Sequence, residues 1–485
     1  MQREAIFRHI DEHLEEHVEH MRRWVRQPSV SWHGHGVAEC AELVAQDLRD
    51  VGFGEVEVVE GRFHPGVWAY YDAGASVTIH TYCMFDTRTV DPKRWSVDPW
   101  GAELTATDRF PRVLKGRGAM AAKGPFVAFL NALRAIVATE GTLPVNVMVL
   151  AEGEEIMGSP SYRSFVERYH DRLATVDASY CVSSSQTATG TVNVGLGLKG
   201  MVVLELTASG ATWPAAPTRT IHSAGAGLVA SPPFRLAQAL ATLTEHDGSG
   251  CTVDGLRDAW AFRADLGEDE RALVERLGAR LAGKDWRDAL PLGGAANVGR
   301  IVGDVDGFGP LLRYLYGPTF NVAGLRAGFL GPDTGTIPFI VPGSATATID
   351  ARMVVPMTAD EIVAAIRNHL DARGFDDIRI DVLSAFDHQR TAVTHPAVRA
   401  LLATLDDWGF EADVWPIQAG GGPWTVVPNV FGVPCLRGGA PGHGVGGDEE
   451  YFVIDGNEKV AGLADVEKFH VDALFNVAEA LGNGS

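Results

Sequence analysis

The run Val145-Asn146-Val147-Met148-Val149-Leu150-Ala151-Glu152-Gly153-Glu154-Glu155-Ile156-Met157-Gly158-Ser159 decides how the chain is read. Residues 145–151 have strand character; three carboxylates follow within four residues, and Gly158-Ser159 breaks the chain. Acidic turns after strands are common in their own right. Placing Glu152, Glu154 and Glu155 at the mouth of a buried strand nevertheless costs self-repulsion and desolvation. In open α/β sheets, sites gather at the carboxyl ends of strands. A carboxylate pair there can divide into a general base and a metal ligand.

Working outward from this run, strand patterns at residues 55–59, 67–71 and 77–82 precede it, the last leading into Cys83-Met84-Phe85-Asp86-Thr87. Helical periodicity at residues 4–26, 37–51 and 125–139 surrounds them, with a helix near 162–169 and a strand at 178–183 beyond. This alternation predicts an α/β fold with a mostly parallel sheet covered on both faces. After Gly200 the pattern changes to strands at 201–207, 344–353 and 378–383 mixed with helices at 232–244, 268–281 and 359–373. A smaller α+β domain is therefore predicted over residues 201–385, inserted between the two parts of the first domain, 1–200 and 386–485. The second part carries a helix at 397–408, a strand at 433–436 and a closing helix at 465–481.

With 485 residues, 46% of them hydrophobic, the chain can bury two cores. A formal charge of -21 argues against nucleic-acid or anionic-membrane partners, which need a basic face. Five scattered cysteines without a CxxC pair exclude a zinc ribbon or disulfide framework and favour a reducing compartment. The charged N-terminal stretch lacks the apolar segment of a signal peptide, and no run approaches the ~20 apolar residues that span a bilayer. A soluble, cytoplasmic protein is expected. Two GxGxxG matches, Gly195 to Gly200 and Gly442 to Gly447, do not sit between a strand and an opening helix, so no dinucleotide site is read from them.

The ordered landmarks resemble one group across nearly the whole chain: the zinc aminoacylases and exopeptidases that include carnosinases, glutamate carboxypeptidases and succinyl-diaminopimelate desuccinylase. They are Pro28-Ser-Val-Ser, Val90-Asp-Pro with Trp95 and Asp98-Pro, Gly116-Arg-Gly-Ala, Lys123-Gly124, Glu152-Gly-Glu-Glu, Gly197-Leu-Lys-Gly200, His222-Ser, Asp350-Ala-Arg352-Met-Val-Val-Pro356, Gly420-Gly-Gly and His443. The resemblance implies a catalytic domain with two zinc ions and an inserted lid that also forms a homodimer.

Carried over residue by residue, the resemblance implies a depleted metal centre. Met84 stands where the family's first histidine would be, with Asp86 retained beside it; Ala121 stands at the bridging aspartate, and Ser185 (or Ser184) at the next acidic ligand. Glu154 matches the general base, Glu155 its neighbouring ligand, and His443 the last histidine. A catalytic zinc needs about three protein ligands, and only Glu155 and His443 remain, so no cofactor is expected. Without a cation, Glu154, Glu155 and Asp86 are expected to share protons, leaving one carboxyl near neutrality. On the lid, His222 matches a residue that polarises the scissile carbonyl in the partner subunit's site. Asn321, Arg352 and the turn Gly420-Gly421-Gly422 match positions that hold the substrate's polar end and carboxylate.

Three readings follow. The first is a metal-independent enzyme acting on a small amide, N-acyl amino acid or dipeptide-like carboxylated substrate, with Glu154 as general acid/base, Asp86 and His222 assisting, and transfer, cyclisation, elimination or hydrolysis as the reaction. The second is a non-catalytic ligand-binding or scaffold relative. The third is a metal-dependent amidohydrolase whose metal is held by Glu152, Asp86, Glu155 and His443.

Overall fold

The computed structural model describes residues 2–245, 250–257, 266–290, 298–299, 309–331, 335–354 and 357–482. Val355 and Pro356, at the end of one landmark above, lie outside the described residues. The chain divides into two compact units, one of Met1–Gly197, Gln389–Pro416 and Pro423–Ser485, the other of Leu198–His388 and Ile417–Gly422. The first is α/β in build and the second α+β, and the second interrupts the first.

The strand Asn146–Glu152 is buried along its whole length. Its Val-Met-Val-Leu sequence suits a strand covered on both faces. It pairs antiparallel with Gly66–Tyr71 and parallel with Thr78–Met84 in the middle of an eight-stranded mixed sheet. Thr78–Met84 pairs parallel with Ala178–Cys181, which pairs parallel with Cys435–Gly438. The helices Leu14–Arg26, Lys123–Glu140 and Leu463–Gly482 pack together, and the buried residues of Lys123–Glu140 include Phe126, Phe129, Leu130 and Leu133. Fully burying each such side chain stabilises the fold by about 1.5–3 kcal/mol. The single helix expected over residues 4–26 is instead two, Gln2–Glu12 and Leu14–Arg26. At the break the His13 ring nitrogen lies 2.8 Å from the His9 carbonyl, a side chain competing for a helical acceptor.

In the second unit, four antiparallel strands run in the order Thr319–Ala327, Ser344–Met353, Gly200–Ser209, Arg379–Phe386. Alternate residues Val202, Leu204, Leu206, Ala347, Ile349 and Ala351 join Ile362 and Ile366 of the helix Ala359–Ala372 in its core. That helix opens on a capping box between Thr358 and Glu361. The glycine turn at Gly420–Gly422 belongs to this unit, although it follows the chain's return to the first.

Candidate active site

Register decides where the site lies. Cys83 pairs with Ala151, Met84 with Glu152, and Tyr82 with Cys181, so three parallel strands end at one level. The residues that follow them converge on a cavity of about 480 Å³ contained in the first unit. Met84, Ala121, Glu155, Ile156, Ser183 and Gly446 face it, together with Arg88, Arg117, Arg437 and Glu450. Tyr82, Met120, Phe126 and Trp424 supply an apolar wall.

Consecutive carboxylates part company here. Glu154 is fully buried, and its Oε1 accepts hydrogen bonds from the backbone N–H groups of Phe63 (2.6 Å) and His64 (2.7 Å), away from the cavity lining. Glu155 faces the cavity. The turn that presents it is held from behind by Asp86, which accepts from the backbone N–H of Glu155 (3.2 Å) and of Ile156 (3.0 Å). Asp86 is completely buried and does not itself line the cavity. Burial pushes the Asp86 carboxyl up to about 6 against the pull of those amides. Burial, then the neighbouring Asp86 charge, pushes Glu155 up to about 7, with Arg88 and Arg437 pulling the other way. Of the three carboxyls expected to share protons, it is Glu155 that lies near neutrality, whereas the general-base role read from the sequence was given to Glu154. Glu152 accepts from the Tyr82 hydroxyl (2.7 Å) and the Ser159 hydroxyl (2.8 Å), and burial raises it well above the usual carboxylate range.

Other positions shift in the same way. Ser185 donates to the Asn193 carbonyl (2.7 Å) and accepts from the Gly439 N–H (3.1 Å); it is Ser183 that borders the cavity. His443 turns away from it, its Nδ1 lying 2.9 Å from the Gln186 carbonyl and its ring against Phe110 and Tyr451. Three residues on, Gly446 borders the cavity with Gly447. Met84 and Ala121 do face it, and Cys83 borders it too. Burial holds the Cys83 and Cys181 thiols above their ordinary range, in the protonated form.

Sequence reasoning missed four residues here. Glu450, 1% exposed, accepts from the N–H groups of Gly118 (3.0 Å), Met120 (2.9 Å) and Ala121 (2.7 Å) and from Arg117 Nη1 (3.1 Å). Its carboxylate thereby fixes the turn that leads into the helix Lys123–Glu140. The acidic run Asp448-Glu449-Glu450 after a glycine-rich stretch was the signal available. Arg117 lay inside the landmark Gly116-Arg-Gly-Ala without a role read for it, and Arg88 and Arg437 carried no sequence signal of their own.

In the second unit, Arg352 pairs with Asp350 (3.0 Å) and lies near Gly421. A Cβ at Gly421 would come within 2.7 Å of the Lys199 carbonyl oxygen and 3.6 Å of Arg352 Nη1, so only glycine fits. Burial, with Arg352 adding like charge, lowers Lys199 to about 8. Gly420 accepts from the Lys199 N–H at 3.1 Å, and Gly422 completes the turn. Asn321 is exposed, opposite Asp350 on the neighbouring strand. His222 is exposed on a separate two-stranded ribbon, its Nδ1 accepting from the Ala224 N–H (3.1 Å).

The family model for Peptidase family M20/M25/M40 matches residues 86–461, and the chain belongs to that family. It is 25% identical over 390 residues to the Beta-Ala-His dipeptidase of Rattus norvegicus, covering 76% of this chain and 73% of the relative. It is 23% identical over 386 residues to the Cys-Gly metallodipeptidase of Schizosaccharomyces pombe, covering 76% of each. Among solved structures, the M20 family metallo-carboxypeptidase Sso-CP2 of Sulfolobus solfataricus superposes with a TM-score of 0.79 at 25% identity, over 96% of this chain and 99% of that one. Human carnosine dipeptidase 1 superposes with a TM-score of 0.73 at 19% identity, over 99% of both chains, a likeness of fold.

The residues around the cavity do not fit the zinc pair that the family implies. A catalytic zinc takes about three nitrogen, sulfur or oxygen ligands. Among the described residues no group of three or more His, Cys, Asp or Glu side chains is placed to hold a metal ion. Glu450 is committed to four donors, and three guanidinium groups border the cavity. Nor do Glu152, Asp86, Glu155 and His443 converge as substitutes: each but Glu155 is held by partners of its own. No helix among the described residues is long and apolar enough to cross a membrane.

Proposed function

We propose that this chain is a metal-independent enzyme of the dipeptidase and aminoacylase type, acting on a small amide, N-acyl amino acid or dipeptide-like carboxylated substrate. The observation that carries the reading is the Glu155 carboxyl, facing the cavity, backed by Asp86 and raised to about 7. A carboxyl of that kind is populated in both forms near neutral pH, as acid/base catalysis requires. Neutral Glu155 donates its proton to the amide nitrogen as the C–N bond breaks. Ionised Glu155 takes the proton of the attacking group, which is water in hydrolysis or a second nucleophile in transfer or cyclisation. Asp86 is a positioning residue, acting through the turn it holds.

In the second unit, the proposed anchor for the substrate carboxylate is Arg352 with the amides of Gly420, Gly421 and Gly422. Their approach to one another supports it. His222 and Asn321 are kept as proposed substrate contacts, and a homodimer in the cytoplasm as the working assembly. The names of the relatives support a hydrolase acting on short peptides.

The test is turnover of a panel of dipeptides and N-acyl amino acids by protein purified in chelator, with bound metal measured in the same sample. Turnover at a metal content far below one ion per chain, lost in Glu155→Gln, is the expected result. Activity that appears only on adding zinc would sink the metal-independent reading. Binding of a panel member without product over long incubation would leave a non-catalytic ligand-binding protein.

A further inference from the structure

The cavity has an electrostatic character opposite to that of the molecule. The chain carries a formal charge of -21, yet three arginines border this one space. Arg117 is accounted for: it lies 3.1 Å from Glu450, donates to the Gly447 carbonyl (2.6 Å) and sits over the Trp95 ring. Arg88 and Arg437 border the same space as Glu155 and both act on its charge, and Arg437 also reaches the Cys181 thiol. Arg437 is oriented by a stack over the Trp424 ring at 4.8 Å. Arg88 reaches the cavity from the loop after Asp86 and makes no ion pair or hydrogen bond among the described residues. Two guanidinium groups converging on one partly apolar space form a receptor for an oxyanion, which guanidinium forks bind through paired N–H donors.

We infer that Arg88 and Arg437 bind an oxyanion of the substrate inside this cavity, at the level of the strand ends where the family's relatives are expected to hold metal. The rest of the wall, Tyr82, Met84, Met120, Phe126 and Trp424, is apolar. The substrate class thereby narrows to an amide whose cavity-bound half carries an acidic group on an apolar body. A carboxylate and a phosphoryl group share this chemistry. The inference rests on reading the cavity as the reaction site, but it concerns binding alone and is tested without turnover.

The experiment is isothermal titration of the full chain, in chelator, with phenylacetate, phenyl phosphate and, as the neutral control, phenylacetamide. At least one anion is expected to bind at least tenfold more tightly than phenylacetamide, more weakly as salt is raised. Arg88→Gln and Arg437→Gln are each expected to weaken it at least tenfold, whereas Glu155→Gln retains or strengthens it. Which anion wins assigns the source as carboxylate or phosphoryl. Arg88 is exposed, so its variant separates lost binding from lost folding; Arg437→Lys, which keeps the charge without the planar fork, does the same at the second site. Failure of both anions to bind, equal binding of phenylacetamide, or binding unchanged in both Arg→Gln variants overturns the inference. Those outcomes leave the role of Glu155 standing, just as unchanged turnover in Glu155→Gln would remove that role and leave the oxyanion site.

Discussion

Two regions of the first unit each bury an aspartate and treat it in opposite ways. Beneath the packed helices, Asp47 receives hydrogen bonds from His20 (2.7 Å), Arg23 and Trp24, with Arg134 at 3.3 Å. His20 continues to Asn131 (2.6 Å), Asn131 to Glu467 (2.8 Å), and Glu467 to His17 (2.6 Å). Burial alone would raise Asp47, but His20, Trp24 and Arg134 outweigh it and hold the carboxyl below its ordinary range. At the strand ends, Asp86 has two backbone amides from the Glu155 turn and Glu155 faces open space, so burial wins and both are raised. A fully matched buried charge belongs to the scaffold. An under-matched one is poised to exchange a proton.

The sharpest way to break that comparison is Glu155→Gln. Loss of general acid/base catalysis predicts turnover lower by about 10²–10⁴-fold. Steady-state kinetics on an established substrate check it, with the circular dichroism spectrum unchanged. Next in size is Asp47→Ala, which leaves His20, Arg23 and Arg134 without their common partner. Stripping one side of a buried charge network is expected to cost about 3–5 kcal/mol in urea unfolding, while the KM of the folded protein stays as it was.

Glu154→Ala sharpens the contrast between neighbours. It leaves the backbone N–H groups of Phe63 and His64 without their shared acceptor, and each lost hydrogen bond costs about 0.5–1.5 kcal/mol. Stability is expected to fall by that order while turnover persists; a collapse of turnover in stable Glu154→Ala would return the proton-transfer role to that residue.

The smallest effect is the pH dependence, in which Asp47 carries the opposite sign to Asp86 and Glu155. Asp86 and Glu155 are raised from 3.8 and 4.5 to about 6 and about 7. The folded state therefore holds protons that the unfolded chain has released. Their contribution to stability is full below the ordinary values and is lost as pH rises through about 6 to about 7. Asp47 is lowered, so its contribution is present above 3.8 and disappears as acid reaches its folded value. Urea midpoints followed across this range should decline less steeply in Glu155→Gln than in the natural protein. Parallel curves would show that Glu155 is not raised.

Much of this was legible in the sequence, for identifiable reasons. The strand Asn146–Glu152 and the helix Lys123–Glu140 follow from local apolar patterning, and the expected limits differ from the observed ones by one or two residues. The replacements at Met84 and Ala121 were readable because the landmarks around them are rigidly spaced. His443 and Ser185 were placed by counting along glycine-rich and serine-rich loops, where a shift of two or three residues leaves no trace in composition. The structure puts Gly446 and Ser183 at the cavity instead.

The sequence by itself determined the α/β plan of the first unit and placed a thioether and a methyl group at Met84 and Ala121, because periodicity and residue chemistry are local properties. Only the tertiary structure decided which of two consecutive glutamates meets the cavity, since a turn's backbone angles set side-chain direction and Asp86, from another strand end, holds that turn. It also brought Glu450 to the amides of Gly118 and Ala121, more than 300 residues away in the chain. The convergence of Arg88 with Arg437 on one cavity has the same origin: parallel pairing aligns strand ends that are remote in sequence.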